Sequence, residues 1–92
     1  MKDRVIENYQ RDEEMMILIF TQWCINHDLN PQEIYGRAYP GQKENEALLK
    51  AIDATVSKEE SDHIPDETVL TALSMFGNEE LGFVVSEISE SR

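Results

Sequence analysis

Cysteine, glycine and proline are all scarce in this sequence of 92 residues. Cys24 is the only cysteine, so no disulfide can form within the chain, and a reducing, cytosolic setting fits best. The chain has four glycines and three prolines. So few turn-forming residues argue against a turn-rich all-β architecture and against a disordered chain.

Long apolar runs are also missing. The longest is MMILIF at positions 15–20, far short of the roughly 20 apolar residues that cross a bilayer as a helix. The sequence does not open with a cationic stretch followed by an apolar one, as secretory signal peptides do. We therefore expect a cytoplasmic protein that does not associate with membranes.

Positive charge is the third scarce feature. The formal net charge is −11, and no Lys or Arg occurs between Lys58 and Arg92, where nine acidic residues lie. Such a surface repels phosphate backbones and anionic lipids, so we expect no direct binding to nucleic acid or to membranes. It favours a protein partner with a basic surface, and simple solubility is the plainer alternative.

The rest of the sequence follows helical patterns, because apolar residues recur at steps of three and four. We predict an all-α fold: a small bundle or orthogonal array of four to five helices around a long N-terminal helix. Residues 1–92 are expected to form a single helical domain. The predicted helices span residues 2–27, 31–38, 43–56, 65–76 and 79–89, and the last few residues are expected to be frayed.

Local signals suggest several of these boundaries. Asn30 is a predicted N-cap, with Pro31 at the first helical position. Pro65 is expected at the first position of another helix. Gly77 is expected to end that helix, and Asn78 is the predicted N-cap of the last one.

Several predicted helices carry apolar stripes, which we expect to face the core; for the helix at 65–76 the stripe consists of Val69, Leu70, Leu73 and Phe76. For the helix at 43–56 the stripe consists of Leu48, Leu49, Ile52 and Val56. For the helix at 79–89 it consists of Leu81, Val84, Val85 and Ile88.

Reactive residue types do not form a recognisable motif. Cys24 and His27 lie three residues apart on one helix face, but a zinc site needs three or four ligands, and His63 is the only other histidine. No glycine-rich phosphate loop and no EF-hand pattern is present. We therefore predict no catalytic residues, no metal and no cofactor.

The stretch LNPQEIYGRAYPG, residues 29–41, is the one place where aromatic, basic, glycine and proline residues crowd together. Tyr35, Arg37 and Tyr39 are residue types typical of interaction hot spots, and the two tyrosines lie at i,i+4. They form one candidate partner-binding patch. The alternative is that the tyrosine rings cover the edge of a thin core, with their hydroxyls in water.

A run of acidic residues is a second candidate surface for a basic partner. It lies in and after the connector SKEESDHIPD, and the alternative is a solvated connector. Its members are Glu59, Glu60, Asp62, Asp66 and Glu67.

The first helix offers more apolar surface than a chain of this length covers, since residues 15–25 are apolar on nearly all sides. A homodimer formed helix to helix would bury the surplus. The candidate dimer contacts are Val5, Ile6, Tyr9 and Met16.

These observations favour a non-enzymatic protein-interaction or regulatory module, with an acidic surface suited to a basic protein partner or with self-association. One alternative is a mimic of nucleic-acid charge that inhibits a DNA-binding protein, which needs its acids on one face. Another is a small metal-dependent enzyme around Cys24, His27 and His63. As a whole, the chain resembles the short, acidic, helical, uncharacterised cytosolic proteins of Bacillus-type bacteria. No diagnostic motif carries that resemblance, so it implies no activity and no site residues.

Overall fold

A computed structural model describes the backbone of residues 2–42 and 44–91 and the side chains of residues 13–42 and 44–91. These residues form five α-helices and no strand, which confirms the predicted all-α fold class. The helices are α1 (Lys2–Asn26), α2 (Pro31–Ala38), α3 (Glu46–Ala54), α4 (Asp66–Met75) and α5 (Glu79–Ser91).

The second half of α1 lies at the centre of the domain. Its buried apolar residues repeat at helical spacing and so share one face; they are Met16, Ile17, Phe20, Trp23 and Cys24. The polar neighbours Thr21 and Gln22 are buried as well, and the Thr21 hydroxyl donates to the backbone carbonyl of Ile17. This part of the helix is therefore enclosed on more than its apolar face.

A Schellman motif ends α1. The Leu29 amide donates to the Cys24 carbonyl at 2.8 Å, and the Asp28 amide donates to the Ile25 carbonyl at 3.1 Å. Asp28 adopts a left-handed φ of 58°, a conformation that Asp tolerates better than most residues with a side chain. The helix ends at Asn26, so His27 lies just outside it.

Asn30 caps α2 as predicted. Its side-chain oxygen accepts from the amides of Gln32 at 3.0 Å and Glu33 at 3.4 Å. Pro31 is the first residue of the helix, where its missing N–H leaves no hydrogen bond unmade. Asn30 and Pro31 therefore both serve to start α2.

The third helix is shorter than the predicted span of residues 43–56. Asn45 is its N-cap, with its side-chain oxygen accepting from the Leu48 amide at 3.2 Å, so the helix begins only at Glu46. Thr55 is extended, with a ψ of 155°, and this ends the helix before Val56. Lys43, the first residue of the predicted helix, lies outside the described residues.

This shift changes the face that α3 buries. Leu48 and Ala51 are buried, whereas Leu49 and Val56 are exposed. The prediction that Leu49 and Val56 face the core was wrong: Val56 lies beyond the end of the helix, and the face that α3 buries contains Leu48 and Ala51 instead. Ile52 is partly buried, as a residue at the edge of the stripe.

The fourth helix begins one residue later than predicted. Pro65 is the N-cap rather than the first helical residue, since its ψ of 146° is extended. At the other end Gly77 has a φ of 71° and forms a second Schellman motif, in which the Asn78 amide donates to the Leu73 carbonyl at 2.9 Å. Gly77 therefore follows the end of α4 in a left-handed conformation, as expected of a residue that terminates a helix, and the last residue of α4 is Met75.

The last helix follows directly. Asn78 precedes α5, and its carbonyl accepts the first helical hydrogen bond from Gly82 at 2.9 Å. The side chain of Asn78 accepts from Tyr39. The helix continues to Ser91, past the predicted end at residue 89.

The packing order places α1 in contact with α2, α3 and α4, while α5 packs against α2 and α4. One core joins all five helices. Besides the residues of α1, it contains Ile34, Tyr35, Ala38, Leu48, Ala51, Val69, Leu73, Leu81 and Val85. The seam between α2 and α5 and the connector between α3 and α4 are left at the surface.

Candidate functional site

A groove of about 560 Å³ lies between α2 and α5, and we call it the α2–α5 groove. Its lining residues are Arg37, Ala38, Glu79, Glu80, Phe83, Val84 and Glu87. Phe83 is 65% exposed. The groove thus combines the apolar side chains of Ala38, Phe83 and Val84 with three carboxylates and one guanidinium.

The sequence of α5 explains why this face is presented. Leu81 and Val85 are buried and Ile88 is partly buried, so one stripe of the helix belongs to the core. Phe83 and Val84 lie outside the centre of that stripe. Glu80 precedes Phe83 by three positions and Val84 by four, and Glu87 follows Phe83 by four positions and Val84 by three. These spacings place all four residues on one face of α5.

Each Lys and Arg side chain that the structure describes is paired with a carboxylate of the same chain. Arg37 Nη2 lies 3.5 Å from Glu33 Oε1, Lys50 Nζ 3.9 Å from Glu46 Oε1, and Lys58 Nζ 2.7 Å from Asp28 Oδ2. The hydrogen bond that Lys58 donates to the Asp28 carboxylate raises the pKa of Lys58 above its ordinary value. Most exposed carboxylates therefore have no cation beside them in this part of the chain, and the surface remains anionic.

The predicted patch of Tyr35, Arg37 and Tyr39 is not a shared surface. Tyr35 is only 9% exposed and packs its ring 6.4 Å from that of Phe20, so it belongs to the core. Tyr39 is partly buried, and its hydroxyl donates a hydrogen bond to Asn78 Oδ1 at 2.9 Å. The alternative prediction placed this hydroxyl in water. Burial raises the pKa of both tyrosines. Arg37 is exposed and is the member of the three that lines the groove.

The predicted acidic run also divides into two environments. Glu59, Glu60, Asp62 and Glu67 are exposed, as a solvated connector or docking strip requires. Asp66 is different, since it is half-buried and holds hydrogen bonds to two helices.

Asp66 is the centre of a polar cluster. The indole of Trp23 donates to its Oδ1 at 2.8 Å, and the Ser89 hydroxyl donates to its Oδ2. His27 Nε2 lies 3.9 Å from Oδ1, with its ring 5.0 Å from that of Trp23. Through the hydrogen bonds donated by Trp23 and Ser89, the Asp66 carboxylate links α4 to α1 and α5.

Hydrogen bonds from α1 hold the connector between α3 and α4. The Gln22 side chain donates to the Val56 carbonyl at 2.9 Å and accepts from the Val56 amide at 3.0 Å. Asn26 donates to the Ser61 hydroxyl at 3.2 Å and to the Asp62 carbonyl at 3.3 Å. The exposed acids of the connector therefore extend from a fixed backbone.

The candidates for metal or thiol chemistry do not assemble among the described residues. No group of three or more His, Cys, Asp or Glu side chains is placed there to hold a metal ion. Cys24 is fully buried, and burial raises the pKa of its thiol. A thiol in that state is neither a good nucleophile nor a good metal ligand.

The candidate dimer contacts are only partly described. The side chains of Val5, Ile6 and Tyr9 lie outside the described residues. Met16 is buried in the core at 4% exposure, so its assignment to a dimer surface was wrong. Its neighbour Met15 is 55% exposed, because a shift of one position moves a residue by about 100° around a helix.

The predicted inner stripe of α5 included Val84, which packs against the core and also lines the groove, and it did not include Phe83. The signal was present in the spacing: Leu81, Val85 and Ile88 already form a complete stripe at i, i+4 and i+7. Phe83 cannot lie on the centre of that stripe. Acids one turn on either side of an aromatic residue are the pattern of an exposed helix face.

These features define a small all-helical domain with an acidic surface, an apolar groove between α2 and α5 and a buried thiol. The described residues contain no helix long and apolar enough to cross a membrane. The YxiS family model matches residues 1–90, and the chain belongs to this family. It is 52% identical over 90 residues to the "Uncharacterized protein YxiS" of Bacillus subtilis (strain 168). The aligned region covers 97% of this chain and 94% of that protein.

The resemblance to uncharacterised proteins of Bacillus-type bacteria is therefore confirmed. No solved structure matches the chain. Neither the family description nor the name of this relative states an activity, so arguments about function depend on the surface of the molecule itself.

Proposed function

We propose that the protein is a non-enzymatic interaction module that binds a basic surface of a protein partner. The formal net charge of −11 carries this proposal. Such a surface attracts basic groups and repels phosphate, which favours a protein partner over a nucleic acid.

The buried state of Cys24 supports a role without enzymatic chemistry. A nucleophile must reach its substrate, and this thiol is enclosed by the core with its pKa raised by burial. Asp66 has its oxygens occupied by Trp23 and Ser89, and a carboxylate bound in this way is poorly suited to general-base catalysis.

The two alternatives receive less support. A mimic of nucleic-acid charge needs its acids on one face, but exposed carboxylates occur on each of the five helices and on the connector between α3 and α4. A metal-dependent enzyme needs convergent ligands, and the described side chains offer no such group.

A second copy of the chain is the other partner to test. Met15 is the exposed apolar residue of α1 that favours self-association, together with the predicted contacts Val5, Ile6 and Tyr9. A dimer would bring together two chains of net charge −11, so raising the salt concentration should promote it. Light scattering at low and high salt measures this directly.

The proposed function is tested by affinity capture. The immobilised protein should retain basic proteins from a bacterial lysate at about 0.1 M salt and release them at about 1 M, where the Debye length falls to about 3 Å. The control is an unrelated helical domain of equal net charge on the same support. If both supports retain the same proteins, the binding reflects charge alone and the proposal fails.

A further inference from the structure

We propose that the α2–α5 groove is the docking site for a short cationic amphipathic helix of a protein partner, with an apolar side chain seated against Phe83 and Val84. This inference rests on the proposed function and assigns it a place and a ligand chemistry. Three observations carry it: the exposure of Phe83, the frame of acids around it, and the shape of the groove.

Phe83 is the first observation. Leaving most of a phenylalanine in water is unfavourable by roughly 25 cal/mol per Å² of apolar area relative to burial. At 65% exposure, Phe83 offers a large part of its ring to a partner. Aromatic anchors at the centre of a groove are the residues that most often dominate binding energy.

The acidic frame is the second observation. Glu79 and Glu80 lie one turn before Phe83, and Glu87 lies one turn after it. Glu80 and Glu87 are seven positions apart, or about 10.5 Å along the helix axis. Lys or Arg residues on either side of an apolar anchor match this arrangement, since such residues recur one turn before and after a given position of a helix.

The shape and surroundings of the groove are the third observation. It is bounded by α2 on one side and α5 on the other, with a volume of about 560 Å³. A neighbouring depression of about 320 Å³ includes Asp28, Glu33 and Ile88, and it shares Arg37 with the groove. The surface depression along α2 and α5 thus continues beyond the groove and contains further acidic residues there. A docked helix of two or three turns is long enough to contact both parts.

Arg37 fits this picture despite its positive charge. Its guanidinium lies 3.5 Å from Glu33 Oε1, and both side chains are more than half exposed. An exposed ion pair of this kind contributes little to stability. An incoming Lys or Arg can therefore approach Glu33 without disrupting a strong interaction, and Arg37 can bind a carboxylate or a backbone carbonyl of the partner.

The test uses a fluorescent lysine–leucine peptide of about 14 residues, which is about 21 Å long when helical. Its leucines lie on one helical face and its lysines on the other. Fluorescence anisotropy measures its binding to the full chain at about 0.15 M salt. A peptide of the same composition with its order scrambled has no apolar face. We expect the scrambled peptide to bind about tenfold more weakly.

Two matched pairs of variants locate the binding. Phe83→Ala is compared with Met75→Ala, because Met75 is 77% exposed on α4, away from the groove lining. Glu80→Gln/Glu87→Gln is compared with Glu59→Gln/Glu60→Gln on the connector, which removes the same charge. We expect about tenfold weaker binding for Phe83→Ala and less than about twofold for Met75→Ala. Circular dichroism and thermal melts check that each variant is folded.

The outcomes separate this inference from the proposed function. If the wild-type protein does not bind the peptide in a salt-sensitive way, both fail. If it binds, but Phe83→Ala behaves like Met75→Ala or the two Glu→Gln pairs weaken binding equally, the groove is not the site and only the inference fails. If Phe83→Ala instead converts a dimer to a monomer in light scattering, the occupant is a second copy of the chain and the inference is overturned.

Discussion

The indole N–H of Trp23 donates to Asp66 Oδ1 across 2.8 Å, and this hydrogen bond joins the centre of α1 to the first residue of α4. The Ser89 hydroxyl of α5 donates to the other oxygen of the same carboxylate. Trp23 is fully buried, so its N–H needs a partner. One half-buried carboxylate therefore links three helices that are far apart in the sequence.

Replacing Asp66 by Ala should lower the free energy of unfolding by about 1–3 kcal/mol, because the buried indole N–H of Trp23 loses its acceptor. Urea unfolding followed by Trp23 fluorescence measures the loss. Glu67→Ala is the matched control, since it removes the same charge from the first turn of the same helix at an exposed position. Equal losses for the two variants would show that only the helix-dipole interaction matters.

Two glycines should respond to Ala in opposite directions. Gly77 has a φ of 71°, so Gly77→Ala should destabilise the protein by about 1 kcal/mol. Gly82 lies inside α5, and an added Cβ would meet only the Cβ of Leu73 at 4.0 Å. Gly82→Ala should therefore stabilise it by about 0.5–1 kcal/mol.

Thermal melts of the two glycine variants give the comparison directly. Far-UV circular dichroism should be unchanged in both, because neither substitution alters the helix bounds. A stabilising effect of Gly77→Ala would mean that the turn between α4 and α5 does not need a left-handed residue, contrary to the Schellman motif in the structure.

Most of the helical pattern could be predicted because its signals are local. Asn30 and Pro31 mark the start of α2, and Gly77 marks the turn after α4. Such residues act on the backbone within a few positions, whatever the tertiary structure. The start of α3 was predicted too early, at residue 43, and this error also has a local cause. Asn45 is the N-cap, so the helix begins at Glu46.

The candidate site could not be predicted in the same way, because it depends on which helix faces pack together. Tyr35 and Arg37 are two positions apart, yet one is in the core and the other at the surface. Asp66 looked like a member of an acidic run until the structure placed Trp23 and Ser89 against it. These outcomes depend on contacts between residues on different helices, which periodicity does not contain.

The hydroxyl of Tyr39 should matter for stability rather than for binding. It donates to Asn78 Oδ1 at 2.9 Å and so connects the end of α2 to the turn before α5. Tyr39→Phe should cost about 0.5–1.5 kcal/mol in urea unfolding. It should leave affinity for the lysine–leucine peptide unchanged, since Tyr39 does not line the groove.

A double-mutant cycle checks this assignment for Tyr39. Tyr39→Phe and Asn78→Ala remove the two partners of one hydrogen bond, so their effects on unfolding should be less than additive. Additive effects would show that the two side chains act independently. A loss of peptide affinity in Tyr39→Phe would restore Tyr39 to the binding surface.

Cys24 should make the protein less stable at alkaline pH. Burial raises the pKa of its thiol, whereas in the unfolded chain it titrates near about 8.5. A group whose pKa is raised by folding contributes stability that is complete below its unfolded pKa and is lost as the pH rises above it. Between about pH 8.5 and 9.5 the wild-type protein should therefore lose about 1 kcal/mol that a Cys24→Ala variant does not lose.

Urea unfolding of wild type and Cys24→Ala at pH 7, 8.5 and 9.5 isolates this effect, because other groups titrate equally in both. Cavity formation lowers the stability of the variant by about 1 kcal/mol at every pH. The pH dependence of the difference between the two stability curves therefore reports the ionisation of the thiol alone. Ellman's reagent should label the native thiol at the rate of unfolding, and at once in denaturant. Parallel stability curves together with fast native labelling would place Cys24 at the surface, against its complete burial in the core.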